Sequence, residues 1–155
     1  MALDREAIAA ALFARLKAKV TVAKSFTRRD VDSTKYPPEL HPVFIFRSAG
    51  EDPEQSPQRQ PVNTLHYIVK VFARNTDPEG SPDTQLNEIV RQVEVALERA
   101  DTEAPNPNAP WHTTLGGLVQ HAWLVSPVDF YQGETSDEAG AMLHIEALAV
   151  AMTRG

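Results

Sequence analysis

The segment Leu65 to Phe72 constrains the fold more than any other part of the sequence. Large apolar residues occupy every second position, and the positions between them include His66 and Lys70. A period of two is typical of a β-strand that has one dry side and one partly solvated side. The residues of the drier side are Leu65, Tyr67, Val69 and Val71. The segment therefore predicts a sheet that needs cover on at least one face.

Four further segments have the pattern of strands. Residues 20–29 alternate between apolar and polar positions. Residues 141–152 place Leu143, Ile145, Ala147 and Ala149 on one face, and the other face includes His144 and Glu146. Val43 to Phe46 is apolar throughout, which is typical of a central strand covered on both faces. Residues 118–125 follow two glycines and place His121 and Trp123 on one side of a strand. The sequence thus predicts about five strands.

Two segments have the period of an amphipathic helix. The first begins after Asp4, which can cap it, and continues to about Ala18. The second begins at Ser81, because serine caps a helix well, Pro82 suits the first turn and Asp83 favours the positive end of the helix dipole. The apolar stripe of the second helix comprises Leu86, Ile89, Val90, Val93, Leu97 and Ala100. This stripe must pack on the sheet.

The predicted elements follow in the order α-β-β-β-α-β-β. Neighbouring strands joined by hairpin-like loops favour an α+β fold, with a mostly antiparallel sheet of about five strands and two helices packed against it. We expect residues 1–155 to form a single domain. Residues 49–61 contain no apolar side chain larger than alanine, and residues 101–112 are rich in proline and asparagine, so we expect both to be exposed loops.

Charge and composition argue against several classes of protein. The formal net charge is −6, with acids spread along the chain, whereas gripping nucleic acid requires clustered Lys and Arg. The chain has no cysteine, which excludes a disulfide framework, a thiolate metal site and a cysteine nucleophile. Its first residues lack the basic start of a signal peptide, and no window approaches the roughly 20 apolar residues of a membrane span. We expect no membrane partner.

Residues with catalytic or ligand-binding chemistry occur without the required spacing. No two of the five histidines have a metal-site spacing such as HxH or HExxH, and "GETSDEAG" lacks the alternating ligands of a calcium loop. Ser48, Thr113 and Thr114 lack the G-x-S-x-G frame of a nucleophile turn. Gly116 and Gly117 are followed by a predicted strand and no helix, which favours a bend into that strand over a phosphate loop. We therefore expect no enzyme, no metal and no cofactor.

Several segments also occur in a recognisable order. They are "REAIAAALFARL", "PPELHPVFIFRSAGEDPEQ", "TLHYIVKVFARN", "LNEIVRQVEVALE" and the block from "TLGGLVQHAWLVSP" to the last strand. In this order the chain resembles the tail terminator, or minor tail, proteins of long-tailed bacteriophages. The last block is the most specific, because a TLGG turn, a strand, an acidic turn with glycine and an alternating strand recur in that order in the family. The resemblance makes Leu115, Gly116 and Gly117 a family signature.

The resemblance implies a structural virion protein. Tail terminators assemble, usually as six subunits, into a ring that caps the head-proximal end of the tail tube, stops tube polymerisation and joins the tail to the head. The implied partners are further copies of this chain, the major tail tube protein and the head completion or neck proteins, with DNA only in transit through the lumen. The implied location is the virion tail, after assembly in the host cytoplasm. The alternatives are a head closure or neck protein of the same junction, and a small hydrolytic enzyme.

If a ring forms, we predict that charged residues on two polar segments lie at subunit, tube or lumen surfaces. The segments are residues 50–60 and the acidic turn at residues 134–138, both flanked by predicted strands. An acidic lumen would repel DNA phosphate and let the DNA slide. The candidates are Arg47, Glu51, Asp52, Glu54, Arg59, Glu134, Asp137 and Glu138.

Overall fold

The computed structural model describes residues 3–56, 59–75, 77, 80–132 and 137–150. Within these ranges the helices are α1 (Arg5–Lys19) and α2 (Pro82–Ala96). The strands are β1 (Ser25–Thr27), β2 (Val43–Ser56), β3 (Arg59–Arg74), β4 (His121–Gln132) and β5 (Glu138–Val150). The predicted order α-β-β-β-α-β-β and the α+β class are confirmed.

The described strands form one sheet in the order β1-β2-β3-β5-β4. β1 pairs with β2 in parallel, and the other three pairings are antiparallel, as predicted for most of the sheet. β3 lies at the centre and pairs with both β2 and β5 over most of its length. The alternation of Leu65 to Phe72 therefore fixes which face of the whole sheet is dry, because a one-residue slip would exchange the two faces.

Both helices pack on that dry face. The drier side of β3 is buried as predicted, with Val69 and Val71 fully inaccessible. The helices contribute Ile8, Leu12 and Leu16 from α1, and Leu86, Ile89 and Val93 from α2 to the same cluster. The opposite face, here called the outer face, bears half-buried side chains such as Ile68, Met142 and His144.

Two polar caps begin the helices where the sequence indicates. The Asp4 side chain accepts the Ala7 N–H at 3.0 Å, and the Ser81 hydroxyl accepts the Asp83 N–H at 3.2 Å. Pro82 occupies the first turn of α2, where no N–H is needed. Each cap contributes about 1 kcal/mol to stability.

The strand predicted at residues 20–29 was largely wrong. Val20 ends α1 by donating its N–H to the Leu16 carbonyl at 2.8 Å, and β1 retains only Ser25–Thr27. The segment between α1 and β1 is held by a side chain, because the Gln92 amide oxygen accepts the Val22 N–H at 3.2 Å. The apolar residues still reach the core, which explains why their alternation resembled that of a strand.

The loop predicted at residues 49–61 was also wrong, because residues 49–56 belong to β2 and residues 59–61 belong to β3. β2 continues through Gly50 to Ser56 and pairs with β3 back to Arg59, so the segment is the arm of a β-hairpin. The pairing register shifts between Ser48 and Gly50, and Gly50 has φ 111°. The polar residues of the arm follow this irregularity and continue the strand. Polar cross-strand pairs hold the arm in register, so the absence of large apolar residues was a misleading signal.

β4 begins later and ends later than predicted. A 3-10 turn at Leu115–Gly117 precedes it, and the strand runs from His121 to Gln132 with a register shift between Val125 and Asp129. This interruption contains Pro127, which cannot donate to a ladder. The prediction for Val43 to Phe46 is confirmed, since all four are at most 1% exposed.

Candidate functional site

Two acidic residues of the hairpin arm contact basic side chains, Glu51 with Arg5 and Asp52 with His66. Arg5 Nε lies 2.7 Å from Glu51 Oε1, and the Asn63 amide donates to Glu51 Oε2 at 3.0 Å. The hydrogen bond from Arg5 lowers the pKa of Glu51, against a small opposing effect of desolvation, and the bond from Asn63 and the charge of Arg5 lower it further. Glu51 therefore ties the arm to the start of α1.

Asp52 belongs to a second cluster, on the solvent-facing part of the arm. His66 Nε2 lies 2.7 Å from Asp52 Oδ2, and His66 Nδ1 lies 3.4 Å from Glu146 Oε1. Glu54 is exposed, and Arg59 pairs with Ser56 in the backbone register. Of the predicted surface residues on the arm, Glu51 is paired with the arginine cation of Arg5 and Asp52 is hydrogen-bonded to the imidazole of His66. Arg5 therefore offsets one of the negative charges that the sequence of the arm contains.

Arg47 lies on the outer face, away from the arm. Its Nη1 is 2.9 Å from Asp30 Oδ2, and Lys70 Nζ is 3.5 Å from Asp30 Oδ1. Asp30 thus holds the segment after β1 against the outer face. Arg47 therefore holds the segment that contains Asp30 on the outer face. In the described contacts it does not pair with the acids of the arm.

The acidic turn lies at the opposite end of β3 from the arm. Arg74 Nε is 3.3 Å from Asp137 Oδ2 and 3.9 Å from Glu138 Oε1, and the Asn75 N–H donates to the Asp137 carbonyl at 2.8 Å. Glu134 lies outside the described residues. The structure therefore divides the predicted surface between two ends of the sheet.

The TLGG turn has a backbone that explains its glycines. Leu115, Gly116 and Gly117 all have positive φ, at 52°, 68° and 95°. Leu115 is buried, while the two glycines are exposed. The Gly117 and Val119 N–H groups both donate to the Thr114 carbonyl, at 3.0 and 3.2 Å, which closes the turn before β4. The turn bends the chain towards the sheet, as predicted.

Glu103, which the sequence analysis missed, organises residues 101–112. Its carboxylate accepts both the N–H and the hydroxyl of Thr114, at 2.9 and 3.1 Å, the Thr113 hydroxyl at 2.8 and 2.9 Å, and the Ala100 N–H at 3.1 Å. Arg15 Nη1 lies 2.9 Å away. No periodicity marks an acid in a proline-rich segment, so only the three-dimensional contacts identify it.

Opposing forces act on the ionisation of Glu103, whose side chain is only 7% exposed. Burial opposes its ionisation, but the Ala100 and Thr114 N–H groups, the Thr113 hydroxyl and the charge of Arg15 together lower its pKa to about 2. Glu103 and Thr114 also line an open cleft of about 530 Å³, next to Gly116 and Gly117. The Glu103 carboxylate is hydrogen-bonded to Thr113 and Thr114 and ion-paired with Arg15. These contacts give it the role of holding the three segments together.

The histidines do not gather into a metal centre in the part of the chain that is described. No group of three His, Asp or Glu side chains there is arranged to hold an ion. His121 contacts Trp123 with ring centroids 4.5 Å apart and planes tilted by 34°, and it accepts a hydrogen bond from the Asn106 amide at 3.0 Å. Burial, assisted by His112, lowers the pKa of His121 and favours its neutral form. These contacts fix residues 106–112 on β4.

Exposed aromatic side chains lie on and near β4. Trp111 is 80% exposed, and Phe130 and Tyr131 on the strand are 51% and 38% exposed. β4 is the last described strand of the sheet, and its start is covered where the Ala122 N–H donates to the Thr113 carbonyl at 3.0 Å. Exposed Trp and Tyr side chains are characteristic of protein interfaces.

Comparison with known proteins gives a likeness of fold. No protein-family model matches the chain, and no curated protein sequence matches it. A chain of the virion of a native gene transfer agent particle is similar over 93% of this chain and 95% of its own, with TM-score 0.57 and 14% identity. A second solved structure is similar over 99% of this chain and 96% of its own, with TM-score 0.50 and 14% identity. Among the described helices, none is long and apolar enough to cross a membrane.

Proposed function

We propose that this chain is a structural protein of a phage-like virion, and in particular a tail terminator. The observation that carries the proposal is the shared fold with a chain of a gene transfer agent virion over nearly the full length of both chains. The order of segments that resembles the tail terminators, including the TLGG turn, supports the narrower assignment. The role is structural and requires no catalysis.

In this proposal, copies of the chain form a ring, of six subunits, at the head-proximal end of the tail tube. The ring stops tube polymerisation and binds the head completion proteins, and DNA passes through its lumen. Because the arm and the acidic turn lie at opposite ends of β3, one end of the sheet is available to the tube and the other to the head side. The net charge of −6 favours a lumen that does not retain DNA.

The first test measures assembly of the purified protein. Mass measurement and negative-stain imaging, with and without purified tail tubes, should reveal rings or capped tube ends. Tail tubes are included because some ring-forming proteins assemble into a closed ring only when they are bound to the tube. A protein that stays monomeric and binds no tubes would contradict the terminator role.

The second test separates the terminator from a head closure protein. Deleting the coding sequence from the genome that encodes the particle should give overlong tails without heads. Supplying the wild-type chain should restore normal particles. Tails of normal length beside heads that have lost their DNA would instead identify a head closure or neck protein. Intact particles of normal length would contradict both roles.

A further inference from the structure

A second cavity, of about 170 Å³, lies between the outer face of the sheet and the segment that precedes β2. It is separate from the arm and from the TLGG turn. Pockets for drug-sized ligands and cofactors typically occupy about 300–1,000 Å³, so this one accommodates a group no larger than a side chain. The lining residues that matter for the chemistry are Ser33, Thr34, His41, Phe72, Tyr131 and Glu138.

Two aromatic rings form one wall. Phe72 and Tyr131 meet edge to face, with centroids 6.1 Å apart and planes at 71°. The Tyr131 ring lies over Gly140 of the neighbouring strand, where a Cβ atom would overlap the ring. The glycine therefore lets the tyrosine lean across the sheet and present its ring to the cavity. Ring faces carry partial negative charge and attract cations.

His41 provides an acceptor at the same cavity. It is only 7% exposed, and its Nδ1 lies 3.1 Å from the Pro37 carbonyl. A carbonyl only accepts, so Nδ1 carries the hydrogen, and in the neutral ring Nε2 is left as an acceptor. Tyr36 holds the imidazole by an edge contact, with centroids 6.5 Å apart.

Glu138 provides the negative charge. Its carboxylate is 3.9 Å from Arg74 Nε, which lies closer to Asp137, at 3.3 Å. At 3.9 Å the contact with Arg74 is longer than a hydrogen bond, so Glu138 retains acceptor capacity. Two rings, an imidazole nitrogen and a carboxylate together favour a ligand that is cationic and donates hydrogen bonds.

We propose that this cavity binds one arginine side chain of a partner protein. A planar guanidinium can stack flat on the face of one of the two rings, Phe72 or Tyr131. In the same pose, its fork of N–H groups can donate to Glu138 and to His41 Nε2, and a compact ammonium does not combine a flat stack with such a fork. The wall formed by Tyr131 belongs to the outermost described strand, which a second protein can approach. The site does not depend on the virion role, and its failure would leave that role untouched.

The test uses N-acetyl-arginine methylamide as the probe and its citrulline analogue as the control of matched shape without charge. Amide NMR spectra of the full chain should show saturable shifts at residues 33–41, Tyr131 and Glu138 with the arginine probe. We expect the citrulline probe to bind about tenfold more weakly, since it loses the charge-assisted bonds. Equal affinity for the two probes, or shifts that do not saturate, would overturn the proposal.

Two variants assign the effect to residues. Glu138→Gln should weaken the arginine probe about tenfold and leave the citrulline probe unchanged, whereas Tyr131→Leu should weaken both probes. Asp129→Asn is the matched control, because it removes an exposed carboxylate of β4 outside the cavity. It should change the affinity of neither probe. Unaltered arginine binding in both Glu138→Gln and Tyr131→Leu would contradict the site.

Discussion

Glu103 Oε1 lies 2.9 Å from Arg15 Nη1, and this pair joins three segments that are distant in sequence. Arg15 also donates to the carbonyls of Ala96 and Glu98 at the end of α2, the latter at 2.8 Å. The last turn of α2 contains no basic residue of its own, so Arg15 supplies the cation that a helix C-terminus favours. Through Glu103 the same guanidinium anchors the turn before β4.

Replacing Glu103 should therefore destabilise the whole fold. We expect Glu103→Gln to lower the free energy of unfolding by about 2–4 kcal/mol, because Arg15 loses its buried counter-ion and an amide cannot accept the same set of bonds. Urea unfolding followed by circular dichroism measures the change. Glu94→Gln, an exposed acid on α2, is the control and should stay within about 0.5 kcal/mol of wild type. A similar small effect for Glu103→Gln would contradict the anchoring role.

The same carboxylate should make stability depend on pH in the acid range. Its folded pKa of about 2 lies below the ordinary value of 4.5, so its contribution is fully present above about pH 4.5 and is lost as the pH falls towards 2. The difference corresponds to about 3 kcal/mol. Wild type and Glu103→Gln should thus differ most near neutral pH and converge near pH 2. A difference between them that is constant from pH 7 to pH 2 would contradict the assignment.

The sequence predicted those parts of the fold in which hydrophobic periodicity sets the structure. The alternation in β3 and the stripe of α2 identified the buried faces, because apolar side chains must leave water wherever the chain is regular. The same rule failed at residues 20–29, where apolar side chains reach the core from irregular backbone. It failed again at the hairpin arm, where Glu51 with Asn63 and Asp52 with His66 hold the register.

The candidate site was predicted less well, and the reason is also physical. The paired glycines predicted the bend at Gly116 and Gly117, since a local backbone conformation depends on local residues. It could not show that Arg5 neutralises Glu51 or that Arg74 lies beside Asp137, because these partners are 46 and 63 positions apart. Glu103 was missed for the same reason, since its cation comes from α1.

The left-handed conformation of the TLGG turn gives a test that does not depend on function. Gly116→Ala should destabilise the protein by about 1–2 kcal/mol, because φ of 68° is unfavourable for a residue with a Cβ atom although the space there is open. Gly116→Asn should cost less, since asparagine tolerates this region. Thermal unfolding measures both. Equal losses for the two variants would indicate that the side chain, and not the backbone, is the cause.

Gly140 should tolerate a methyl group only by moving Tyr131. In Gly140→Ala the new Cβ would overlap the tyrosine ring, whereas β5 itself accepts alanine, as at Ala139 and Ala141 on either side. We expect a folded protein whose Tyr131 ring has swung outward, with altered ring resonances in the NMR spectrum and an altered near-ultraviolet dichroism. Ala139→Gly is the matched control. Unchanged Tyr131 resonances in Gly140→Ala would contradict the contact.

The hairpin arm should matter for assembly and not for folding, if the chain forms a ring. Glu54 is exposed and lies in the part of the arm beyond the contacts of Glu51 with Arg5 and of Asp52 with His66. Reversing its charge in Glu54→Lys should leave the free energy of unfolding within about 0.5 kcal/mol of wild type, as for other exposed positions. The same change should weaken ring formation or tube binding, because a charge reversed at a contact surface meets the wrong partner. Mass measurement and tube sedimentation test this, with Glu94→Lys on α2 as the matched reversal. Equal assembly of both variants and wild type would place the contact surface elsewhere than on the arm.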